Sequence, residues 1–242
     1  MERRRHGGGL AEFSSFDTRH YPTLPVRDGY REWAPRYEAT VLDLMDIRLL
    51  ASLHEVAWRD TGRAVDLACG TGRIGRWLRA AGVAAVDGVD FAPEMLSRAE
   101  ACGAYDRLVL GDMRATGLDT GDYALVTEVL ADEHLADLAP LYREAARLAE
   151  RGGRIVIAGY HPHFLMQGIP THFDRPSGEA VAIESHVHLM SDHIAAAHGA
   201  SLQLAEMIEG VVDDAWIAAK PGWRRYRHHP VSFAMVWVKP RR

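Results

Sequence analysis

The chain has 242 residues, 48% of them hydrophobic and 25% charged, with a net charge of −5. That length supports one well-buried domain with a modest appendage. The acidic balance excludes an overall basic field for nucleic acid, and the basic clusters Arg3-Arg4-Arg5 and Arg224–His229 read as solvated segments. Two cysteines, Cys69 and Cys102, exclude a disulfide framework and fit a reducing cytoplasm. No apolar run is long enough to span a membrane, so no membrane partner is expected.

In chain order, residues 1–15 contain RRRHGGG and have little to bury, so a disordered leader is expected there, without the apolar core of a secretory signal. A helix is expected over 28–38, with Tyr30, Trp33, Ala34 and Tyr37 at helical spacing and Pro35 ending or kinking it. A second is expected over 40–59, where Val41, Leu42, Met45, Leu49, Leu50, Leu53, Val56 and Ala57 form a stripe. Short apolar runs then alternate with helical segments: RAVDLA, helix 73–81, AAVDGVD, helix 93–102, DRLVLGD, YALVTEVL, helix 134–150 and GRIVIAGY. Such alternation predicts an α/β fold, a doubly wound parallel sheet with helices on both faces. An irregular stretch rich in Gly, Pro and His follows Tyr160, then helix 190–199 and two long apolar runs that read as an antiparallel pair at the sheet edge. One domain is expected over 16–242: lid helices 16–60, a cofactor-binding core 61–160, a substrate-pocket insertion 161–189, and a closing helix and strand pair 190–242.

Gly70-Thr71-Gly72-Arg73-Ile74-Gly75 follows the first predicted strand and opens a helix. Glycines there permit a tight turn and close backbone approach to a nucleotide at a helix N-terminus. Asp90, at the tip of the second predicted strand, suits a ribose diol. This much fits NAD(P) or S-adenosylmethionine. Four details favour the second. Asp66, before the loop, suits an ammonium group better than a pyrophosphate. About sixty residues precede the first strand. Asp112-Met113, ending the third strand, can grip an adenine. The chain closes with a strand pair rather than a second mononucleotide half.

VDLACGTGR, VDGVDFAPEMLSRA and LVLGDM, in this order and spacing, resemble the class I S-adenosylmethionine-dependent methyltransferases, closely over residues 60–160. VRDGYREWAPRYE resembles the family's entry helix. The resemblance implies a Rossmann-like seven-stranded sheet with an antiparallel C-terminal strand pair, and S-adenosyl-L-methionine as cofactor, leaving as S-adenosyl-L-homocysteine. It implies a loop of Asp66, Ala68, Gly70 and Gly72 under the methionine part. Asp90 would take the ribose hydroxyls, with Phe91, Asp112 and Met113 at the adenine. Glu128 and Val129 would face cofactor and substrate, and Tyr30 or Tyr37 would close the site; plain helix packing competes for these tyrosines.

Methyl transfer needs a base only when the acceptor must lose a proton. Histidines cluster after the fifth predicted strand. His161, His163, His186 and His188 are candidates for general base or substrate hydrogen bonding, with Tyr21 as a partner, and His134 is a candidate for the pocket rim. Two His-x-His pairs could supply imidazoles to a metal, but no carboxylate or cysteine supports them at ligand spacing, so no metal is expected. Phe164, Leu165, Met166, Ile169 and Phe173 beside the histidines suggest an apolar pocket for a small aromatic acceptor of secondary metabolism, methylated at oxygen, nitrogen or an electron-rich ring carbon such as that of an indole. TEVL stands where enzymes methylating exocyclic base amines carry Asn/Asp-Pro-Pro-aromatic, and no Pro-Cys pair exists, which argues against nucleic-acid substrates. The alternatives are an NAD(P)-dependent oxidoreductase, although no Tyr-x-x-x-Lys pair follows Tyr105 or Tyr123, a catalytically inactive cofactor-binding partner subunit, and a protein methyltransferase. Neither the acceptor nor the oligomeric state is encoded in a residue pattern.

Overall fold

Apolar runs buried on both faces need helices on both sides, and the computed structural model, which describes residues 11–241, has that arrangement. Seven strands form the main sheet: β1 Arg63–Leu67, β2 Ala85–Asp90, β3 Arg107–Leu110, β4 Tyr123–Val129, β5 Ala149–Tyr160, β6 Gln203–Val211 and β7 Pro230–Val238. Their spatial order is β6-β7-β5-β4-β1-β2-β3. β1 to β5 are parallel, whereas β7 runs antiparallel to both β5 and β6. Side chains of alternate residues divide the core. Ala64, Val86, Leu125, Val156 and Ala234 pack on one face, and Val65, Leu67, Val126, Ile155 and Met235 on the other.

Helix α1 covers Val26–Trp33, α2 Arg73–Ala81, α3 Pro93–Cys102, α4 Ala139–Leu148 and α5 Met190–Gly199. The predicted spans 73–81 and 93–102 are those observed. α2 ends because Gly82 adopts φ +103°, and the amides of Gly82 and Val83 bond the carbonyls of Arg79 and Leu78 at 3.0 Å. α3 starts at Pro93 and ends at Gly103, φ +67°.

Other expectations are corrected. The helix expected over 28–38 breaks at Pro35 into α1, a 3-10 turn Ala34–Arg36 and a short turn Tyr37–Thr40. Of the helix expected over 40–59, only Thr40 and Ile47–Ala51 are α-helical. Asp46 accepts the Ile47 amide and also pairs with Arg73, as does Asp43, so this segment follows its anchors on α2. Its stripe residues Leu49, Leu50, Leu53 and Val56 are buried all the same. The helix expected over 134–150 begins at Ala139, because Asp132–His134 forms a 3-10 turn and Asp137 accepts the Ala139 amide at 2.9 Å.

Of the expected leader, residues 1–10 lie outside the described residues, but Ala11–Ser15 is structured. Ala11–Glu12 pairs with His186–Val187, and Phe13 is buried. The 161–189 insertion is likewise regular in part. Ala180–Ile183 pairs with Thr23–Leu24 on one side and His172–Asp174 on the other. The N-terminal segment and the insertion are thus knitted into one cover beside the sheet's C-terminal edge. Among the described residues, no helix is long and apolar enough to cross a membrane.

Candidate active site

Strand order reverses between β1 and β4, and ligands of open α/β sheets bind outside the strand ends at such a point. A cavity of about 200 Å³ opens there. Two non-glycine residues on its wall hold left-handed backbone: Ala68, after β1, at φ +55°, and Leu130, after β4, at φ +60°. Strain of this kind, about 1–3 kcal/mol per residue, persists where surrounding structure fixes the backbone.

Glycines of the loop divide their tasks. Gly70 lines the cavity, and a Cβ there would meet nothing nearer than the Ala68 carbonyl at 4.0 Å, so its surface is open to a ligand. Gly72 and Gly75 face inward instead. A Cβ on Gly72 would come within 2.5 Å of Cys102 Sγ, and one on Gly75 within 2.3 Å of Tyr105 Cζ. Gly88 on β2 closes the third side of the Tyr105 ring, with its own notional Cβ 2.9 Å from Tyr105 Cδ1. Tyr105 therefore occupies a slot bounded by three glycines.

Asp90, at the end of β2, lines the cavity and braces the loop. Its Oδ2 accepts the Gly70 amide at 2.8 Å and its Oδ1 the Ala92 amide at 2.9 Å. Burial pushes its carboxyl upward, opposed by these bonds. Phe91 offers a partly exposed ring beside it. Asp112 and Met113 lie on the wall too, and Arg114 holds Asp112 in a fork at 2.6–3.1 Å that lowers its carboxyl. The donor set is thus a carboxylate at the β2 tip, an open loop backbone, and apolar Met95, Met113 and Val129. It fits a ligand that joins a ribose to an adenine.

Tyr30 and Tyr37 line the cavity too, packed against Ala92 and Met95. Burial raises both phenols, that of Tyr37 to about 12. The Tyr30 hydroxyl lies 2.8 Å from His134 Nε2, and His134 Nδ1 lies 2.7 Å from the Glu184 carbonyl oxygen. His134 is also on the cavity wall, with its side chain only 4% exposed.

Behind this pair, Glu128, Asp132 and Glu133 are buried together at 0%, 2% and 1% exposure. Glu128 Oε1 accepts the Ala131 amide at 2.8 Å, and Glu133 Oε1 accepts the Thr171 hydroxyl at 2.7 Å. Burial and then neighbouring carboxylates push Glu128 and Asp132 well above the usual carboxylate range.

The cavity brings together Tyr30, Tyr37, Ala68, Gly70, Asp90, Phe91, Asp112 and Met113 of the residues anticipated at the cofactor. Gly72, Asp66 and Glu128 are not on its wall. Asp66 is buried and accepts the Tyr105 hydroxyl at 2.7 Å and the Thr127 hydroxyl at 2.9 Å; burial raises its carboxyl to about 7. Of the candidate catalytic residues His161, His163, His186, His188 and Tyr21, none lines the cavity. His161 caps the Pro162–Met166 helix and reaches Glu209 on β6 at 3.0 Å, while His163 Nε2 is 3.2 Å from His229 Nδ1. His188 is buried against the Leu135 carbonyl at 2.6 Å. His186 and Tyr21 border a separate polar groove with Asp17 and His20.

The aromatic insertion does not line the cavity either. Phe164 is buried against Trp223 and Tyr226, and Phe173 stacks on Trp33. Leu165 and Ile169 are buried, and Met166 is partly exposed. The apolar wall comes from Val26, Val129, Leu130 and Leu135 instead. Arg114, two residues past Asp112, belongs to no motif of the sequence. His134 carried one legible signal, its position just past a parallel strand's C-terminal end.

Residues 65–157 match a family model described as a methyltransferase domain. Over 149 residues, 55% of this chain and 64% of the relative, the chain is 34% identical to the demethylmenaquinone methyltransferase of Thermus thermophilus. Over 112 residues, 43% of this chain and 46% of the relative, it is 35% identical to human methyltransferase-like protein 27. The chain thus spans less than two thirds of the length of these curated relatives. An S-adenosylmethionine-dependent methyltransferase from Mesorhizobium loti shares the fold at 23% identity, with a TM-score of 0.64 over 81% of this chain and 97% of that one.

Proposed function

We propose that the chain is a class I S-adenosylmethionine-dependent methyltransferase, as its match to a methyltransferase domain supports, and that it methylates a small acceptor, aromatic in character, with Tyr30 and His134 as the proton relay. The observation that carries this reading is the 2.8 Å contact between Tyr30 and His134 on the wall of the cavity that Gly70 and Asp90 also line. The cofactor, when bound, supplies an electrophilic methyl group on a positively charged sulfur.

The chain's own residues do the rest. Asp90 holds the ribose hydroxyls and at the same time fixes the Gly70 backbone. Phe91 and Met113 flank the adenine, with Asp112 at its polar edge. Tyr37 and Val26 close the cavity and exclude water, and an apolar cavity with few polar groups sharpens the remaining electrostatics. The rings of Tyr30 and Tyr37 favour a flat acceptor. Tyr30 receives the acceptor's proton as its own passes to His134, whose ring the Glu184 carbonyl orients. This relay takes the place anticipated for His161, His163, His186, His188 and Tyr21, which lie off the cavity. Glu128 serves by folding the turn after β4, through the Ala131 amide, rather than by touching a ligand.

Calorimetric titration with S-adenosylhomocysteine and NAD, followed by a mass-spectrometric screen of phenols, amines and indoles with S-adenosylmethionine, tests the proposal. Tyr30→Phe and His134→Ala are expected to bind S-adenosylhomocysteine nearly normally and to lose about 100-fold or more in turnover. Wild-type turnover in both variants would remove the relay, and binding of NAD alone would remove the whole reading.

A further inference from the structure

Away from the cavity, two histidines 66 residues apart in sequence turn ring nitrogens toward each other. His163 Nε2 and His229 Nδ1 are 3.2 Å apart, and the ring centroids are 5.1 Å apart with the planes inclined at 60°. A straight N–H···N bond of that length would set the centroids about 5.5 Å apart, so the pair is bent. With the nitrogens at this spacing, one ion about 2.05 Å from each would subtend about 103°, close to the tetrahedral angle, and would bring the centroids to about 5.0 Å. The observed separation agrees with the shared ion.

The backbone fixes both rings in place. The His163 amide donates to His161 Nδ1 at 3.1 Å, and the His163 carbonyl accepts the Gln167 amide at 3.2 Å. The His229 amide donates to the Tyr226 carbonyl at 2.8 Å, and the His229 carbonyl accepts the Val212 amide at 3.0 Å. His161 is committed elsewhere: its Nδ1 is bare for the His163 amide, so its Nε2 carries the hydrogen given to Glu209 at 3.0 Å. Cations of the same turn face other partners, Arg227 with Asp214 at 2.7 Å, Lys220 over the Trp223 ring and Arg225 over the Tyr226 ring. Among the described residues no three His, Cys, Asp or Glu side chains converge on one point, so the pair supplies two protein ligands and no more.

We infer that His163 and His229 form a two-imidazole site for a borderline divalent cation such as Zn2+, Ni2+ or Cu2+, with water completing the coordination. Neutral imidazole suits these ions, whereas Mg2+ and Ca2+ take oxygen ligands. Binding requires both facing nitrogens to be bare, which each neutral ring achieves by carrying its hydrogen on the far nitrogen. The ion clamps the Pro162–Met166 helix, which follows β5, to the residue just before β7. It thereby pins the point where the last strand enters the sheet, and since it binds the folded chain it raises the melting temperature. The site stands apart from methyl transfer, because neither histidine lines the cavity.

The test uses the full chain, stripped of metal with a chelator and titrated calorimetrically with Zn2+ in mildly alkaline buffer. One ion per chain at micromolar Kd is expected, with a melting temperature higher by about 5 °C or more once Zn2+ stands a hundredfold above Kd. His163→Gln and His229→Gln are each expected to weaken binding at least about tenfold, while His54→Gln and His186→Gln leave it intact. One equivalent of Cu2+ reads the ligands without any substitution: its electron paramagnetic resonance spectrum is expected to show coupling to two imidazole nitrogens. Undiminished Zn2+ affinity in either His163→Gln or His229→Gln overturns the inference. So do a Cu2+ spectrum with fewer than two nitrogens, a melting temperature that Zn2+ does not move, and one that Mg2+ raises equally.

Discussion

Replacing Gly75 by alanine sets two physical effects against each other. Gly75 lies inside α2, where helix propensity alone favours alanine by about 1 kcal/mol. Its new methyl, however, would enter the Tyr105 ring, 2.3 Å from Cζ and 2.5 Å from the hydroxyl. That ring cannot slide, because Gly72 and Gly88 hold its other sides. Overpacking of this sort costs about 1–3 kcal/mol. Displacing the hydroxyl also strips Asp66 of one of its two side-chain donors, a loss of about 1.5–3 kcal/mol. Net destabilisation of about 3 kcal/mol follows, or a melting temperature lower by about 6–12 °C for a chain of this size. Urea unfolding followed by circular dichroism measures it. In a Tyr105→Val background the same substitution is expected to be neutral or favourable, a coupling of at least about 2 kcal/mol. A Gly75→Ala protein as stable as the wild type would refute the reasoning.

Asp90→Asn is expected to weaken S-adenosylhomocysteine binding about 100-fold, because charge-assisted bonds to both the ribose and the Gly70 amide weaken together; calorimetry showing unchanged affinity would take Asp90 out of the site. Arg73→Ala leaves Asp46, 1% exposed, without its ion-pair partner. A loss of about 3–5 kcal/mol is expected, with new protease cleavage between residues 34 and 46, and an uncleaved, equally stable variant would contradict this. Burial lowers His193 to about 3, so the folded protein keeps it neutral while the unfolded chain protonates it below about 6.5. Its contribution is present in full above that pH and is lost as pH falls toward 3, at up to about 1.4 kcal/mol per unit. His193→Gln should flatten the fall in urea midpoint across this window; an unaltered slope would rule His193 out as its source.

Where local chemistry coincides with an element's end, the sequence could be read residue by residue. Gly82 and Gly103 stop α2 and α3, and Pro93 starts α3, so both spans were legible. The stripe of residues 41–57 misled because burial, not helix, produced it. Asp43 and Asp46 look like ordinary helix residues until Arg73, distant in sequence, claims both. The candidate histidines do not gather at the cavity, for a topological reason. Those after β5 are adjacent in sequence, yet His161 and His163 fold toward Glu209 and His229, while His188 packs under Leu135. His134 stood outside the cluster, and its partners Tyr30 and Glu184 are brought to it only by the fold.

The proposed relay also reports on how the molecule comes apart. Tyr30 is 104 residues from His134, and Glu184 is 50 residues from it. The Tyr30 side depends on α1, and Glu184 is placed by the short pairing of Thr23–Leu24 with Ala180–Ile183, outside the seven-stranded sheet. Such peripheral pairings open at lower free energy than a central sheet. Turnover should therefore vanish at urea concentrations that leave the far-ultraviolet spectrum intact, and on refolding it should return after the sheet does, so that activity serves as a clock for the closing of the cover.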